Sequence, residues 1–255
     1  MWQQMLRYNS KLFHFLNAAY KRGLHFFFPR VCVACGEDLP WNEDGFLCDV
    51  CRDQLKHPGP LICQRCGVEL KSGGAHCFAC RGSKGASYKC KCIRSAFVFN
   101  TSSRALIHAL KYQGADYVAP FMGRLMALRY KEIPDLSQPD LVIPVALFRT
   151  RQRKRGYNQS ELLARTFATE MLLALDTTSL VRTRDTVSQT ELGRKGRLEN
   201  MTGAFTCVNP KAVKGKTILL IDDVATTGAT LEGCAIALRQ AGARRVEAYT
   251  FAREN

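Results

Sequence analysis

The chain has 255 residues, of which 46% are hydrophobic and 23% charged, and it carries a formal charge of +15. That balance belongs to a folded chain with room for one ordinary domain plus something smaller, and every apolar run is broken by charge short of the ~18 residues a membrane span needs. The positive charge points toward polyanions without choosing between nucleic acid, an anionic membrane and phosphorylated small molecules.

The charge is unevenly placed. Residues 1–36 carry Arg7, Lys11, Lys21, Arg22 and Arg30 and no acid, and residues 81–94 carry Arg81, Lys84, Lys89, Lys91 and Arg94 and no acid. The first segment, residues 1–28, sets Trp2, Met5, Leu6, Leu12, Phe13, Leu16, Tyr20 and Leu24 close to one helical face with bases between. Two readings stand for this amphipathic helix: docking on its own protein, or peripheral contact with anionic lipid. His14 and Asn17 interrupt its apolar stretch, and Lys21-Arg22 follow where a signal-peptide cleavage region is small and neutral, so the expected location is cytoplasmic.

From Val31 to Cys80 long apolar runs vanish, and four pairs appear: Cys32 and Cys35, Cys48 and Cys51, Cys63 and Cys66, Cys77 and Cys80. In a reducing compartment such pairs call for metal before disulfide. Zinc takes four thiolates tetrahedrally, so these eight cysteines satisfy two structural Zn²⁺ ions with none left over. Gly36 and Gly67, directly after the second cysteine of two pairs, let the backbone turn tightly around the metal. Metal binding supplies folding energy that so small a core lacks. A sequential set, the first two pairs at one ion and the last two at the other, and a crossed set, first pair with third, both satisfy the count. Cys90 and Cys92 read as spare ligands or as ordinary thiols at a domain junction, and Cys207 and Cys234 as small hydrophobes.

After Cys92 the pattern becomes α/β. Strands are expected near 94–99, 141–145, 179–183, 217–221 and 246–251, and helices near 102–111, 117–131, 158–175 and 228–241. Between the second strand and the third helix runs a basic loop holding Arg149, Arg151, Arg153, Lys154 and Arg155. The third helix opens with Asn158-x-x-Glu161, a capping pattern. Strands alternating with helices imply a parallel sheet covered on both faces.

Ligands of such sheets bind beyond the carboxyl ends of the strands, and there the chain reads Ile218-Leu-Leu-Ile-Asp-Asp-Val-Ala-Thr-Thr-Gly-Ala-Thr230. A buried strand leads to two acids and then to a loop entering a helix. Free N–H groups of the first helical turn, the hydroxyls of Thr226, Thr227 and Thr230, and close approach at Gly228 suit a phosphate monoester. The stretch is neither a nucleotide P-loop nor a dinucleotide fingerprint.

It resembles the 5-phosphoribosyl-1-pyrophosphate (PRPP) motif of type I phosphoribosyltransferases. The resemblance implies that Asp222 and Asp223 accept hydrogen bonds from the ribose 2′ and 3′ hydroxyls, and that Val224, Ala225, Thr226, Thr227, Gly228, Ala229 and Thr230 hold PRPP by its 5′-phosphate. It also implies a pyrophosphate loop at Val145 and Ala146, Mg²⁺ opposite the ribose, and a flexible catalytic loop over 182–200 with Arg194, Lys195 and Arg197 on the leaving pyrophosphate. The run from Arg149 to Arg155 either meets phosphate oxygens of that ligand or forms a solvated or nucleic-acid-binding loop.

Together with the cysteine pairs, Leu110-Lys-Tyr-x-Gly114, Arg153-Lys-Arg-Gly-Tyr-Asn-Gln159, Arg184 with Thr186 and Gln189, Arg197 with Asn200, and Gly203-Ala-Phe205, this motif looks like the ComF/ComFC family, which includes GntX-like proteins. The resemblance spans residues 31–255 and implies a double zinc ribbon over 31–92 and an α/β, type I phosphoribosyltransferase-like domain over 93–255, behind the N-terminal helix that the apolar periodicity sets over 1–30. It implies a link to natural competence, DNA-uptake proteins as partners, and transfer of ribosyl phosphate to an unknown acceptor. A non-catalytic PRPP sensor or a single-stranded DNA adaptor is the alternative on the same scaffold. Two departures stand out: Ala146-Leu147 where the family has His or Pro after Pro-Val, and Thr226 where 6-oxopurine salvage relatives place a carboxylate general base.

Overall fold

A computed structural model describes Gly23, His25 and residues 27–41, 45–81, 88–185 and 203–254 of the chain. The helix expected over residues 1–28 lies largely outside these residues. No helix among those described is long and apolar enough to cross a membrane. The chain divides into two compact units, Met1–Gln54 and Leu55–Asn255.

The first unit is organised by one cysteine knuckle. Val31 and Asp38 form an antiparallel bridge, the Cys32 amide donates to Glu37 O at 2.8 Å, and the Gly36 amide donates to Cys32 O at 2.9 Å. A short helix, α1 (Asp49–Asp53), follows Cys48 and carries Cys51.

The second unit begins with a copy of this knuckle. Ile62 bridges Glu69, the Cys63 amide donates to Val68 O at 2.8 Å, the Gly67 amide donates to Cys63 O at 2.9 Å, and α2 (Phe78–Arg81) carries Cys80. This ribbon is fastened to the strand that follows it, β1 (Ile93–Val98): the Ile93 amide donates to Arg65 O at 2.8 Å, and Arg94 donates to Gln64 O at 2.9 Å. Gly67 turns left-handed at φ 71°, and a Cβ there would meet Ile93 O at 2.5 Å.

Beyond β1 come α3 (Thr101–Tyr112), a 3-10 turn, α4 (Ala119–Tyr130), β2 (Leu141–Pro144), α5 (Arg149–Arg155) and α6 (Gln159–Met171). Then follow β3 (Leu180–Arg182), β4 (Phe205–Cys207), α7 (Pro210–Val213), β5 (Thr217–Ala225), α8 (Ala229–Gln240) and β6 (Arg245–Arg253). The main sheet is parallel throughout, in the order β1-β6-β5-β2. Its central strands read as continuous apolar runs because both faces are covered. Ile218 and Leu220 meet Leu231, Cys234, Ala235 and Leu238 of α8 in one buried cluster. An aromatic triad holds α4, α6 and β6 together: Tyr130, Phe167 and Tyr249, with ring centroids 5.2–5.7 Å apart. The Tyr249 hydroxyl donates to Met126 O at 2.9 Å.

Four expectations need correction. The basic run 149–155 is a helix rather than a loop, since arginine, lysine and glutamine favour helix and no glycine or proline intervenes before Gly156, which ends it at φ 88°. The strand near 179–183 leaves the parallel sheet and pairs antiparallel with β4, a strand absent from the sequence reading because it has only three residues. The helix expected to reach Leu175 stops at Met171, where Leu172 turns left-handed at φ 55°. At its start Asn158 caps the Ser160 amide, while Glu161 pairs with Arg165 instead of closing a capping box.

Gly67 and Gly36 offer a clean comparison, because both are left-handed but nothing lies within 4 Å of a Cβ at Gly36. Gly36→Ala is expected to cost only the left-handed penalty, about 1–2 kcal/mol. Gly67→Ala adds a backbone collision and is expected to lower the thermal midpoint of the zinc-loaded protein further. Equal shifts for the two variants in a melting experiment would show that the ribbon does not press on β1.

Candidate functional site

The two acids of the opening motif lie on the last part of β5, which runs past the expected end at 221 because Asp222, Val224 and Ala225 continue the ladder to Thr250, Ala252 and Arg253 of β6. Both are buried. Asp222 Oδ1 accepts from Ser160 Oγ at 2.6 Å and from the Asp223 amide at 2.9 Å. Burial pushes the Asp222 carboxyl up to about 7, the neighbouring Asp223 adds to the rise, and Ser160 and Lys111 pull against it. Asp223 forms an ion pair with the Lys111 ammonium. Burial alone would lower that ammonium's pKa, but the charge and hydrogen bond of Asp223, with Asp222 and Tyr112 beside them, together outweigh burial and raise it.

Each partner is placed by a separate element. Helix α3 starts at a reciprocal cap, with Ser103 N donating to Asn100 Oδ1 at 3.1 Å and Asn100 N to Ser103 Oγ at 2.8 Å. Its buried stripe of Ile107 and Leu110 carries Lys111 inward one turn later, where a cation also complements the helix carboxyl end. Tyr157 donates its hydroxyl to Leu110 O at 2.5 Å, tying α3 to the segment ahead of α6. Asn158 then donates to Val145 O at 3.0 Å while its Oδ1 accepts from the Ser160 amide at 3.1 Å. Since the Val145 amide donates to Ile221 O at 2.9 Å, Val145 and Ala146 lie beside the carboxylates.

The loop after Ala225 is short. Thr226 is exposed, Val224, Thr227 and Thr230 are half-buried, and Ala229 and Thr230 already belong to the first turn of α8. Gly228 turns left-handed at φ 79°, and a Cβ there would sit 2.7 Å from Ile93 Cδ1. The Ala229 amide meets Thr227 Oγ1 at 3.3 Å. Glu232, in the same first turn, points its carboxylate to the amides of Lys89 and Cys90, at 2.6 and 3.1 Å. The helix amino end thereby keeps its attraction for an anion.

Of the basic run, Arg151 pairs with Asp185 at 3.4 Å and Thr150 donates to the same carboxylate at 3.2 Å. Arg155 contacts Gln159 and lies over the Tyr112 ring, whereas no carboxylate partner is seen for Arg149, Arg153 or Lys154 among the described residues. Arg182 rests over the Phe205 ring at 5.4 Å. Burial and Arg151 push its guanidinium pKa down, and Asp185 and Asp222 push it up. Arg194, Lys195 and Arg197 lie outside the described residues. Lys111, Ser160 and Arg182 were not among the sequence candidates. Lys111 stands in the Leu110-Lys-Tyr-x-Gly114 motif and at i+4 from Ile107, and Arg182 opens the expected loop over 182–200, but the sequence assigns a role to neither.

The cysteines gather into the sequential sets: Cys32, Cys35, Cys48 and Cys51 in one, Cys63, Cys66, Cys77 and Cys80 in the other, with all sulfurs of a set within 4.8 Å of one another. Cys35 and Cys48 are 3.7 Å apart, Cys66 and Cys77 3.6 Å. A tetrahedron with Zn–S bonds of about 2.3 Å has edges of about 3.8 Å, so both sets fit zinc. Burial raises the Cys32 thiol, but amide donors at Cys48, Ala34 and Cys35 outweigh it and bring it down to about 6; Cys63 falls to about 5 by the same contest. Cys90 and Cys92 join neither set. Cys90 donates to Cys92 O at 3.4 Å, and burial drives both thiols up, Cys92 to about 11. Cys234 is part of the core and Cys207 packs against it.

Profiles of two families match the chain: the double zinc ribbon domain over residues 23–81 and the phosphoribosyl transferase domain over residues 151–255. Competence protein F of Haemophilus influenzae is 29% identical over 231 residues, which cover 89% of this chain and 98% of that protein. DNA utilization protein YhgH of Escherichia coli O157:H7 is 28% identical, with 88% and 97% covered. Competence protein ComFC of Bacillus subtilis is also 28% identical, with 88% and 95% covered.

Two experiments probe this arrangement. Lys111→Met strands the Asp223 carboxylate and is expected to cost about 3 kcal/mol in urea unfolding, while adding Asp223→Asn restores most of the loss; additive losses would mean the pair is not coupled. Cys66→Ser is expected to leave one zinc ion per chain by metal analysis where the two cysteine sets hold two.

Proposed function

We infer, for a chain that belongs to the ComF/ComFC family of double zinc ribbon and phosphoribosyl transferase proteins, that the edge of its parallel sheet binds PRPP and passes the ribosyl phosphate to an acceptor. The observation that carries this reading is a buried carboxylate pair one short loop ahead of a helix amino end. A ligand that joins a vicinal diol to a phosphate satisfies both halves. Asp222 and Asp223 take the 2′ and 3′ hydroxyls, and the loop from Val224 to Thr230 supplies amide and hydroxyl donors to the 5′-phosphate.

In the transfer the bond from C1 to the pyrophosphate oxygen breaks and the electron pair leaves with pyrophosphate. A bond from the acceptor to C1 forms, and the acceptor gives up its proton. The leaving group needs cations. Val145, whose own amide bond to Ile221 O fixes the loop, the Ala146 amide, the α5 bases, and Arg194, Lys195 and Arg197 are assigned to it. The paired carboxylate oxygens are hard donors of the kind Mg²⁺ takes, and a bound Mg²⁺ supplies charge neutralisation to the pyrophosphate. Thr226 offers no general base at neutral pH, which disfavours a 6-oxopurine acceptor. The competence and DNA utilization names of the relatives support a role in DNA uptake or utilisation, and thiolate zinc ligands favour a reducing compartment such as the cytoplasm.

Titration calorimetry of zinc-loaded protein with PRPP and Mg²⁺ is expected to give micromolar to millimolar binding. Asp222→Asn or Asp223→Asn should weaken it at least about tenfold, or about 1.4 kcal/mol; absence of heat with the wild-type protein would overturn the reading. Because the Asp222 carboxyl is raised to about 7, it holds its proton below that pH and becomes a full acceptor above it. PRPP affinity should therefore strengthen from pH 6 to pH 8 in the wild type, by more than in Asp222→Asn, where only the ligand's own phosphates titrate.

A further inference from the structure

A second cavity, of about 630 Å³, opens where the second ribbon meets the start of the sheet. Its lining shares no residue with the loop from Asp222 to Thr230. Four cations and one carboxylate line it: Arg65, Lys91, Arg94 and Arg245 against Asp135. Two of the cations are already committed. Arg94 is held by Asp135 at 2.9 Å and by two backbone carbonyls, and Arg245 by Glu247 at 2.5 Å.

Arg65 and Lys91 have no carboxylate partner among the described residues. Lys91 is exposed, and the Arg65 guanidinium carbon lies over the ring of Tyr88, also in the lining. Of the nearby acids, Glu247 is engaged by Ser137 and Arg245, while Glu232 accepts from the Lys89 and Cys90 amides and lies within the electrostatic reach of Arg65 without forming an ion pair with it. Cys90 and Cys92, on the cavity floor, are neutral thiols that add no negative charge.

We propose that this cavity is a second ligand site, built for a mononucleotide. Lys91 and Arg65, neither in an ion pair among the described residues, match the charge of one phosphate monoester, about −1.5 to −2. The layered Arg65 and Tyr88 form a planar platform for a base, and His76 and Gln64 supply polar wall atoms. The volume falls in the range of small-ligand sites, roughly 300–1,000 Å³, whereas an extended strand needs a groove that tracks several phosphates.

Amine-labelling of Lys91, read by peptide mass spectrometry on the full zinc-loaded chain, reports on this cavity alone. Adenosine monophosphate should cut Lys91 labelling several-fold, with the exposed Lys131 as an unchanged control. The protection should persist in Asp222→Asn/Asp223→Asn and vanish in Tyr88→Leu. Arg65→Ala/Lys91→Ala should lose by calorimetry the same binding event that the carboxylate variant keeps. Unchanged Lys91 labelling, equal protection by inorganic phosphate, or protection only by an oligonucleotide would each overturn the proposal.

Discussion

Two carboxylates side by side at the end of a buried strand lose hydration and repel each other, so the surrounding fold has to supply charge and donors to both. Here Lys111 of α3 faces Asp223, and Ser160 at the first turn of α6 donates to Asp222. This demand explains why α3, α6 and the carboxyl ends of β2 and β5 converge on one edge. Tyr157 joins α6 to α3 through Leu110 O, and Asn158 joins it to β2 through Val145 O. These two contacts hold Val145 and Ala146 beside the acids.

The ribbons meet a different constraint, a shortage of apolar residues. Each knuckle gathers amide donors around its first cysteine and closes with a left-handed glycine, so four sulfurs are already near the edge length of a zinc tetrahedron. The second ribbon also borrows order from the sheet unit. Gly67 lies against Ile93 O, Arg94 reaches Gln64 O, and Glu232 of α8 binds the connecting amides at Lys89 and Cys90. Ile93 in turn touches Gly228, so ribbon, cavity and phosphate loop share one short stretch of chain.

Wherever the chemistry is local, it was legible in the sequence. Cysteine spacing reveals the candidate metal ligands, an aliphatic run followed by Asp-Asp and Thr-Thr-Gly reveals a strand end and the loop into a helix, and helical stripes reveal α6 and α8. The strand β4 was not legible, since three residues are too few for a period, and the antiparallel pairing of β3 with it depends on a return of the chain from far along the sequence. The α5 run was misjudged because its charge suggested solvent and obscured its helix propensity.

By itself the sequence determined the cysteine pairs and the order of acids, hydroxyls and glycine after a buried strand, because each is set by a few consecutive residues. Tertiary structure alone decided which cysteine pairs share an ion, that Lys111 and Ser160 attend the two acids, and that Arg65, Tyr88 and Lys91 line one cavity. These are encounters between residues distant in the chain. Their physical cause is a long-range requirement, counter-charge for buried acids and burial for both faces of a parallel sheet, which no local pattern encodes.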